Sequence, residues 1–427
     1  MPRCPSRPTP VPEAVAEGRE PLMSAPNPLS ARARGLGPSP TMATDARAKE
    51  LQAQGRDLIN LTAGEPDFPT VPAAAQAAVA AIAEGFTHYT AATGVVELRR
   101  AIADKLRADN GLCYAPEQIA VTPGAKFALY AAMQVLADPG DEVLIASPYW
   151  VSYPEQAALA GARPVFIPTR AEDGFVLRAA AIAPLITPAT KLLVLNSPCN
   201  PTGAVIPPEE LQAIGDLVLR HERLYVLSDE IYEKMVYEGR RHASIAALDP
   251  ELQRRTVTIN GFSKAYAMTG WRVGYTAAAP EVARVIAHFL SQTTSNVTSI
   301  AQRAALGALT GPAADVDHMV AEFARRRARV LARVSAMPHV RCVAPGGAFY
   351  VFPHVASVFG WRSAAGAAIP DADALALRLM EEAGLAVVPG TGFGAPAHIR
   401  ISYAAGMEAL DAACDRLAAF LRGLRPA

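Results

Sequence analysis

The sequence predicts an α/β protein with a mostly parallel sheet covered on both faces by helices, followed by an α+β end segment. Three observations carry this. From residue 73 onward, helical patterns alternate with short apolar runs, the pattern of parallel strands joined by helical crossovers. Polar and glycine-bearing turns follow the apolar runs, where open α/β sheets place ligands. Beyond about residue 320 the alternation gives way to an arginine-rich helix and short, closely spaced strands.

The elements follow in order. "TDARAKELQAQG" (44–55) reads as a helix and "DLINLTAGEPDFP" as a short strand entering a Gly/Pro loop. "PAAAQAAVAAIAEGF" is a helix interrupted by Gln76 and Glu84, well short of the ~18–20 apolar residues that span a bilayer. Apolar spacings of three and four predict helices in "VVELRRAIADKLRADNG", "AKFALYAAMQVLADPG", "PPEELQAIGDLVLRHE" and "PEVARVIAHFLSQTT". Between them, "EVLIAS", "PVFIPT", "KLLVLNS", "LYVLSD", "TVTING" and "RVGYTAA" read as strands. The end segment carries the helices "AEFARRRARVLARVSAM" and "DADALALRLMEEAG", the strands "GGAFYVFP", "LAVVPG" and "HIRISYA", and a terminal helix.

At 427 residues the chain exceeds one core of ordinary size and predicts two domains. The expected boundaries are a disordered extension over 1–27, an arm and part of a small domain over 28–70, a large domain over 71–315 and a small C-terminal domain over 316–427. The extension is rich in proline and arginine; Glu13, Glu17 and Glu20 argue against a transit peptide. Forty basic and forty acidic side chains cancel, which removes the electrostatic case for nucleic acid or an anionic membrane as partner. Five scattered cysteines with no CxxC pair suggest neither a disulfide framework nor a zinc site, and a cytoplasmic location is expected.

The chemistry-bearing residues cluster after strands. "GAKFAL" is a glycine turn opening a helix, whose free N–H groups suit a phosphate. Asn200 in "PCNPTG" by itself reads as a turn residue, and Asp229 in "SDEIYE" as a helix cap. Lys264 follows "TVTING"; an unpaired lysine is costly beside a core strand unless neutralised or covalently used. Arg272, eight positions on, carries the fork that matches a phosphate. Arg400 alternates with apolar residues in "HIRISYA" and suits a carboxylate. A phosphate cradle, an aspartate, a phenol with an amide, an amine and a carboxylate clamp together match the handles of pyridoxal phosphate. Tyr153 and Tyr403 read as packing residues and His88 as a structural neighbour of Tyr89.

These residues lie in "LTAGEPDF", "HYTAATGVVELRRAI", "TPGAKFAL", "DPGDEVLIASPYWVSYPE", "NSPCNPTG", "SDEIYE", "SKAYAMTGWRVGY", "GGAFYVF" and "HIRISYA". In that order they resemble the class I aminotransferases of fold type I, in the bacterial aspartate aminotransferase branch, from about residue 30 to the end. The resemblance implies a seven-stranded, mostly parallel sheet in the large domain and a smaller α+β domain from both chain ends. It implies that Lys264 holds pyridoxal 5'-phosphate as an aldimine and moves the α-proton, while Asp229 keeps the ring nitrogen protonated. Asn200 and Tyr232 would bind the phenolic oxygen and Trp150 would stack on the ring. The phosphate would take the N–H groups of Ala125 and Lys126, the side chain of Arg272, and Tyr89 from a second subunit of a homodimer.

By the same resemblance, Arg400 clamps the substrate α-carboxylate with Asn200 and Gly64, and Lys126 meets a distal carboxylate. The expected reaction is ping-pong amino transfer between aspartate or glutamate and a 2-oxo acid. The alternatives are a prephenate or aromatic aminotransferase, or a biosynthetic enzyme of the same fold performing elimination, oxidation or cyclisation. A cofactor-binding regulatory domain is the rival of another class. Its DNA-binding partner module has no helix-turn-helix pattern in the N-terminal tail. Gly261 stands where many relatives carry a phosphate-binding serine.

Overall fold

A seven-stranded sheet organises the chain in a computed structural model that describes residues 28–426. The extension expected over residues 1–27 lies outside them. A first unit ends at Gly37; its described part holds one helical turn, Ala31–Arg34, with the Ser30 hydroxyl accepting from the Ala33 N–H at 3.1 Å. The second unit runs from Pro38. Among the described residues, no helix is long and apolar enough to cross a membrane.

In the second unit, helix Pro40–Ala53 leads into strand β1 (Ile59–Asn60). The large sheet comprises β2 (Ile119–Thr122), β3 (Glu142–Ser147), β4 (Arg163–Pro168), β5 (Thr190–Asn196), β6 (Tyr225–Asp229), β7 (Thr256–Gly261) and β8 (Gly274–Ala277). Its order is β2-β8-β7-β6-β5-β3-β4. Strands β4, β3, β5, β6 and β7 pair in parallel, and β8 runs antiparallel to both β7 and β2. Every residue of β2, β7 and β8 is buried. Burial on both faces explains the continuous apolar runs, since a strand covered on both sides needs no polar alternation.

The remaining strands are short: β9 (Tyr350–Val351), β10 (Trp361–Arg362), β11 (Ala368–Ile369), β12 (Leu385–Ala386), β13 (Val388–Pro389) and β14 (Ile399–Ser402). Strands β13, β14 and β9 form an antiparallel sheet, and β1 pairs in parallel with β12. These pairings join the beginning of the chain to its end. Helix Ala313–Ser335 buries Val316, Met319, Phe323, Val330 and Val334, and packs Phe323 on Phe349 with ring centroids 5.3 Å apart. The arginines of its outer face pair with Asp411 and Asp415 on the last helix, Met407–Gly423.

Several helices do not stand out in the sequence pattern, among them Ala179–Ile182 and Pro250–Arg254, each of five residues or fewer. Ser152–Leu159 is only eight residues long, too short to display a helical period. Ser299–Thr310 is built mostly of small residues, so its apolar face reads weakly although it packs closely on helix Pro72–Ala83.

Behind β6 lies a buried ionic cluster. Lys105, from helix Val96–Asn110, pairs with Glu233, which also accepts from Asn110 Nδ2 at 2.8 Å. Burial pushes the Glu233 pKa up, but Lys105, His242 and Asn110 outweigh it and hold the carboxyl down at about 2, against an ordinary 4.5. A depressed carboxyl contributes stability that is present above its ordinary pKa and is lost as pH falls from about 4.5 towards 2. Lys105→Met leaves that carboxylate buried without its cation, so urea unfolding at neutral pH should show a loss of ~3–5 kcal/mol. A loss below ~1 kcal/mol would show that the cluster is not holding the fold.

Candidate active site

The loops after β2, β5, β6 and β7 meet at a cleft of about 330 Å³, joined by residues from β1's exit and from β14. Its lining includes Gly64, Ala125, Lys126, Trp150, Asn200, Asp229, Tyr232, Lys264, Arg272 and Arg400. Thus every expected site residue but one comes to a single place. The exception is Tyr89, which does not line the cleft and is 92% exposed.

Helix Ala125–Leu136 begins just after β2, at Gly124 with φ +80°. A Cβ there would lie 2.5 Å from Arg272 Nη2, so glycine is needed to let the guanidinium approach the helix N-terminus. Arg272 itself has φ +58°, a left-handed backbone that costs energy for a non-glycine residue and clusters at functional sites. Its guanidinium donates to the Thr269 carbonyl at 2.9 Å and pairs with no carboxylate among the described residues. Free helix N–H groups beside an unpaired guanidinium form an anion cradle. Lys126 Nζ lies 5.0 Å from the centre of the Trp150 ring, and burial, then Arg272, pulls its pKa down.

Lys264 follows β7 and donates from Nζ to the Gly64 carbonyl. Burial is the main cause lowering its pKa to about 8; Arg400 and Arg272 add to the shift, while Glu65 and Asp229 oppose it. A sizeable neutral fraction at neutral pH makes this amine a nucleophile. Asp229 ends β6 and caps no helix; its carboxyl instead accepts from Tyr153 Oη at 2.7 Å and from the Ile231 N–H at 3.3 Å. Burial raises its pKa to about 6, with Tyr153 and Ile231 pulling down and Glu230 pushing up.

Arg400, on β14, is buried. It donates to Asn200 Oδ1 at 3.0 Å and to the Thr62 carbonyl at 2.7 Å, while its Nε has no hydrogen-bond partner among the described residues. The guanidinium lies 4.5 Å from the ring centre of Tyr350 and 5.0 Å from that of Phe393. Tyr350 and Tyr232 share a hydroxyl hydrogen bond of 2.8 Å. A buried, incompletely bonded guanidinium facing a cleft is a site for a carboxylate.

Some functional positions escape sequence reasoning. Tyr350 and Thr62 line the cleft yet read as packing and strand residues. Asn196 joins two site loops, donating to the Asp229 carbonyl at 3.1 Å and accepting from the Asn200 N–H at 2.9 Å; its place at the end of a buried apolar run was the available signal. Tyr153, expected to be a packing residue, also binds Asp229. Tyr403 does pack, with its hydroxyl on the Ala348 carbonyl at 3.1 Å. At Gly261, a Cβ would stand 2.9 Å from both Gly274 Cα and the Val273 carbonyl. Close approach of β8 therefore excludes a serine there, while Ser263 lines the cleft.

The site fits pyridoxal phosphate on its own chemistry. An anion cradle, a buried carboxyl, a part-buried amine with lowered pKa and an indole occupy one cleft, and the buried guanidinium retains an unused donor.

Comparison with known proteins agrees. The family model "Aminotransferase class I and II" matches residues 56–417. Aspartate aminotransferase of Bacillus subtilis is 44% identical over 92% of this chain and 98% of its own. Aspartate/prephenate aminotransferase of Cereibacter sphaeroides is 46% identical over 91% of this chain and 97% of its own. Among solved structures, aspartate aminotransferase from Thermus thermophilus with maleate has a TM-score of 0.87 at 44% identity, covering 92% of this chain and 100% of that one.

Proposed function

The chain belongs to the class I and II aminotransferases and is a pyridoxal-phosphate-dependent enzyme of amino-acid transamination, and we propose that it transfers the amino group of aspartate or glutamate to a 2-oxo acid. The observation that carries this is the pair of cations in one cleft: Arg400 with an unused Nε, and Lys126 with no carboxylate partner among the described residues. Two cations suit the two carboxylates of a dicarboxylic substrate. The maleate in the Thermus thermophilus structure is a ligand of that class.

When bound, pyridoxal phosphate supplies the carbonyl that receives the amino group and a ring that accepts electrons. In this reading Lys264 holds the cofactor and its Nζ takes the proton from the substrate α-carbon. Asp229 holds the ring nitrogen protonated, Asn200 and Tyr232 bind the phenolic oxygen, and Trp150 covers the ring face. The backbone N–H groups of Ala125 and Lys126 and the side chain of Arg272 hold the phosphate. Arg400 orients the α-carboxylate, assisted by Asn200 and Gly64, so that the α-proton faces the amine.

Tyr89 completes the phosphate site from a second subunit, which makes the enzyme a homodimer; its high exposure in the single chain supports this. Residues 28–70 hold an N-terminal arm and part of the small domain, and residues 316–427 form the rest of that domain, which closes over the substrate bound to the large domain, 71–315. The separation of the β13-β14-β9 sheet from the seven-stranded sheet supports that division. The location is cytoplasmic. A second reading, prephenate as an amino acceptor, is favoured by the name of the Cereibacter sphaeroides relative.

A half-reaction screen tests the substrate. Loaded enzyme is mixed with single amino acids, and conversion of the cofactor to its amine form is followed by absorbance. Aspartate and glutamate should react at least ~10-fold faster, in kcat/KM, than alanine or phenylalanine, since only they offer Lys126 a carboxylate, a charge-assisted contact worth about 1.5–3 kcal/mol. Equal rates would overturn the dicarboxylate assignment. The amine form then titrated with 2-oxo acids and prephenate identifies the acceptor.

A further inference from the structure

Asp229 and Glu230 are adjacent but face different surroundings, as successive residues at a strand end do. The Asp229 carboxyl faces the cleft, where Tyr153 Oη, from helix Ser152–Leu159, donates to it at 2.7 Å. Both side chains are buried. Tyr153 stands edge-on to Trp150, just before that helix, with ring centroids 5.3 Å apart. The Glu230 carboxyl is outside the cleft lining. It accepts from Ser228 Oγ at 2.8 Å and Ser244 Oγ at 2.6 Å, and is bonded to His242 Nε2 at 3.0 Å.

We infer that Tyr153 and Glu230 are positioning residues that set the proton occupancy of Asp229 from opposite sides of β6. The inference rests on the proposed placement of Asp229 against the cofactor ring. Tyr153 gives the carboxylate one of its two donors, and so favours the ionised form. Glu230, the next residue in the chain, carries a second carboxylate whose charge favours the protonated form. Other charged or titratable groups act on the pair. Lys264, Tyr232 and Cys199 belong to the cleft side; His242, Glu233, Lys105 and Tyr114 belong to the rear. Burial lowers the His242 pKa, but Glu230 and Glu233 outweigh it and leave it raised.

Opposite signs distinguish this role from a structural one. The full-length protein, labelled with ¹³C at aspartate carboxyls, is titrated by NMR in its cofactor-free and loaded forms. Asp229→Asn assigns the signal. Cofactor-free Tyr153→Phe should move the Asp229 titration up by about one pH unit, and Glu230→Gln should move it down by about one. Tyr403→Phe, which also removes a buried hydroxyl, should leave it in place. In the loaded form, the pH below which cofactor affinity falls, read from quenching of tryptophan fluorescence, should move with the titration.

An Asp229 titration that neither variant moves, or that both move in one direction, overturns the inference. Opposite shifts that the cofactor affinity does not follow support the inference and instead contradict the placement of Asp229 against the ring. Tyr153→Phe keeps the ring volume and decides the part of Tyr153; if Glu230→Gln does not fold, His242→Gln, which removes the partner that offsets the Glu230 charge, should move the Asp229 titration up, and no movement would overturn the part of Glu230.

Discussion

Lys264→Ala is expected to lower kcat by at least about 10⁴-fold while leaving a folded protein that binds the cofactor non-covalently. Two functions are lost together, the covalent hold on the cofactor and the base at the α-carbon. The only other lysine lining the cleft is Lys126, whose amine sits over Trp150 rather than beside Gly64. No second amine therefore stands where Lys264 does. Removing the side chain relieves the cost of burying its charge, so the melting temperature should not fall with activity. The visible absorbance of the lysine-bound cofactor should disappear, and borohydride should no longer fix the cofactor to the chain. In the wild-type protein, the rate of cofactor attachment should rise as pH passes through about 8, because only the neutral amine attacks. A Lys264→Ala protein that turns over at wild-type rate would remove the lysine from the mechanism.

Arg400→Ala should reduce kcat/KM by roughly 100- to 1000-fold, the effect of leaving a buried carboxylate without its cation. The loss should be similar for the amino acid and the 2-oxo acid, since both carry the same carboxylate next to the reacting carbon. Cofactor affinity should change little. The guanidinium reaches Asn200 and Thr62, whereas the anion cradle is built by Arg272 and the helix start at Ala125. Arg400→Lys should recover only part of the loss, because an ammonium cannot reproduce the fork. Steady-state kinetics with both substrates measure this; unchanged saturation in the alanine variant would place the α-carboxylate elsewhere.

Much of the large sheet was readable because its strands are buried on both faces. "KLLVLNS" announces itself by its apolar run and "TVTING" by its β-branched residues, and β5 and β7 occupy them almost residue for residue. The small strands were harder to read. Strands β1, β12 and β13 are two residues long, and the pairing of β1 with β12 joins distant parts of the chain, which no local period encodes. Lys264, Arg272 and Arg400 were conspicuous as charges set in apolar surroundings. Tyr350 was not, since a tyrosine in "GGAFYVF" looks like any strand aromatic until Tyr232 and Arg400 are beside it.

The sequence by itself determined the family, through the resemblance its ordered motifs carry, and marked the chemistry, because a lysine, an aspartate and two arginines in or beside apolar strands are costly unless used. It also determined where the large sheet would form. Only the tertiary structure decided how those groups modify one another. That Asp229 is held by Tyr153, that Lys264 titrates near 8, and that Gly261 has no room for a side chain all depend on distances between segments far apart in the chain. Burial and electrostatics act through space, and the chain order carries no record of which charges will share a cleft.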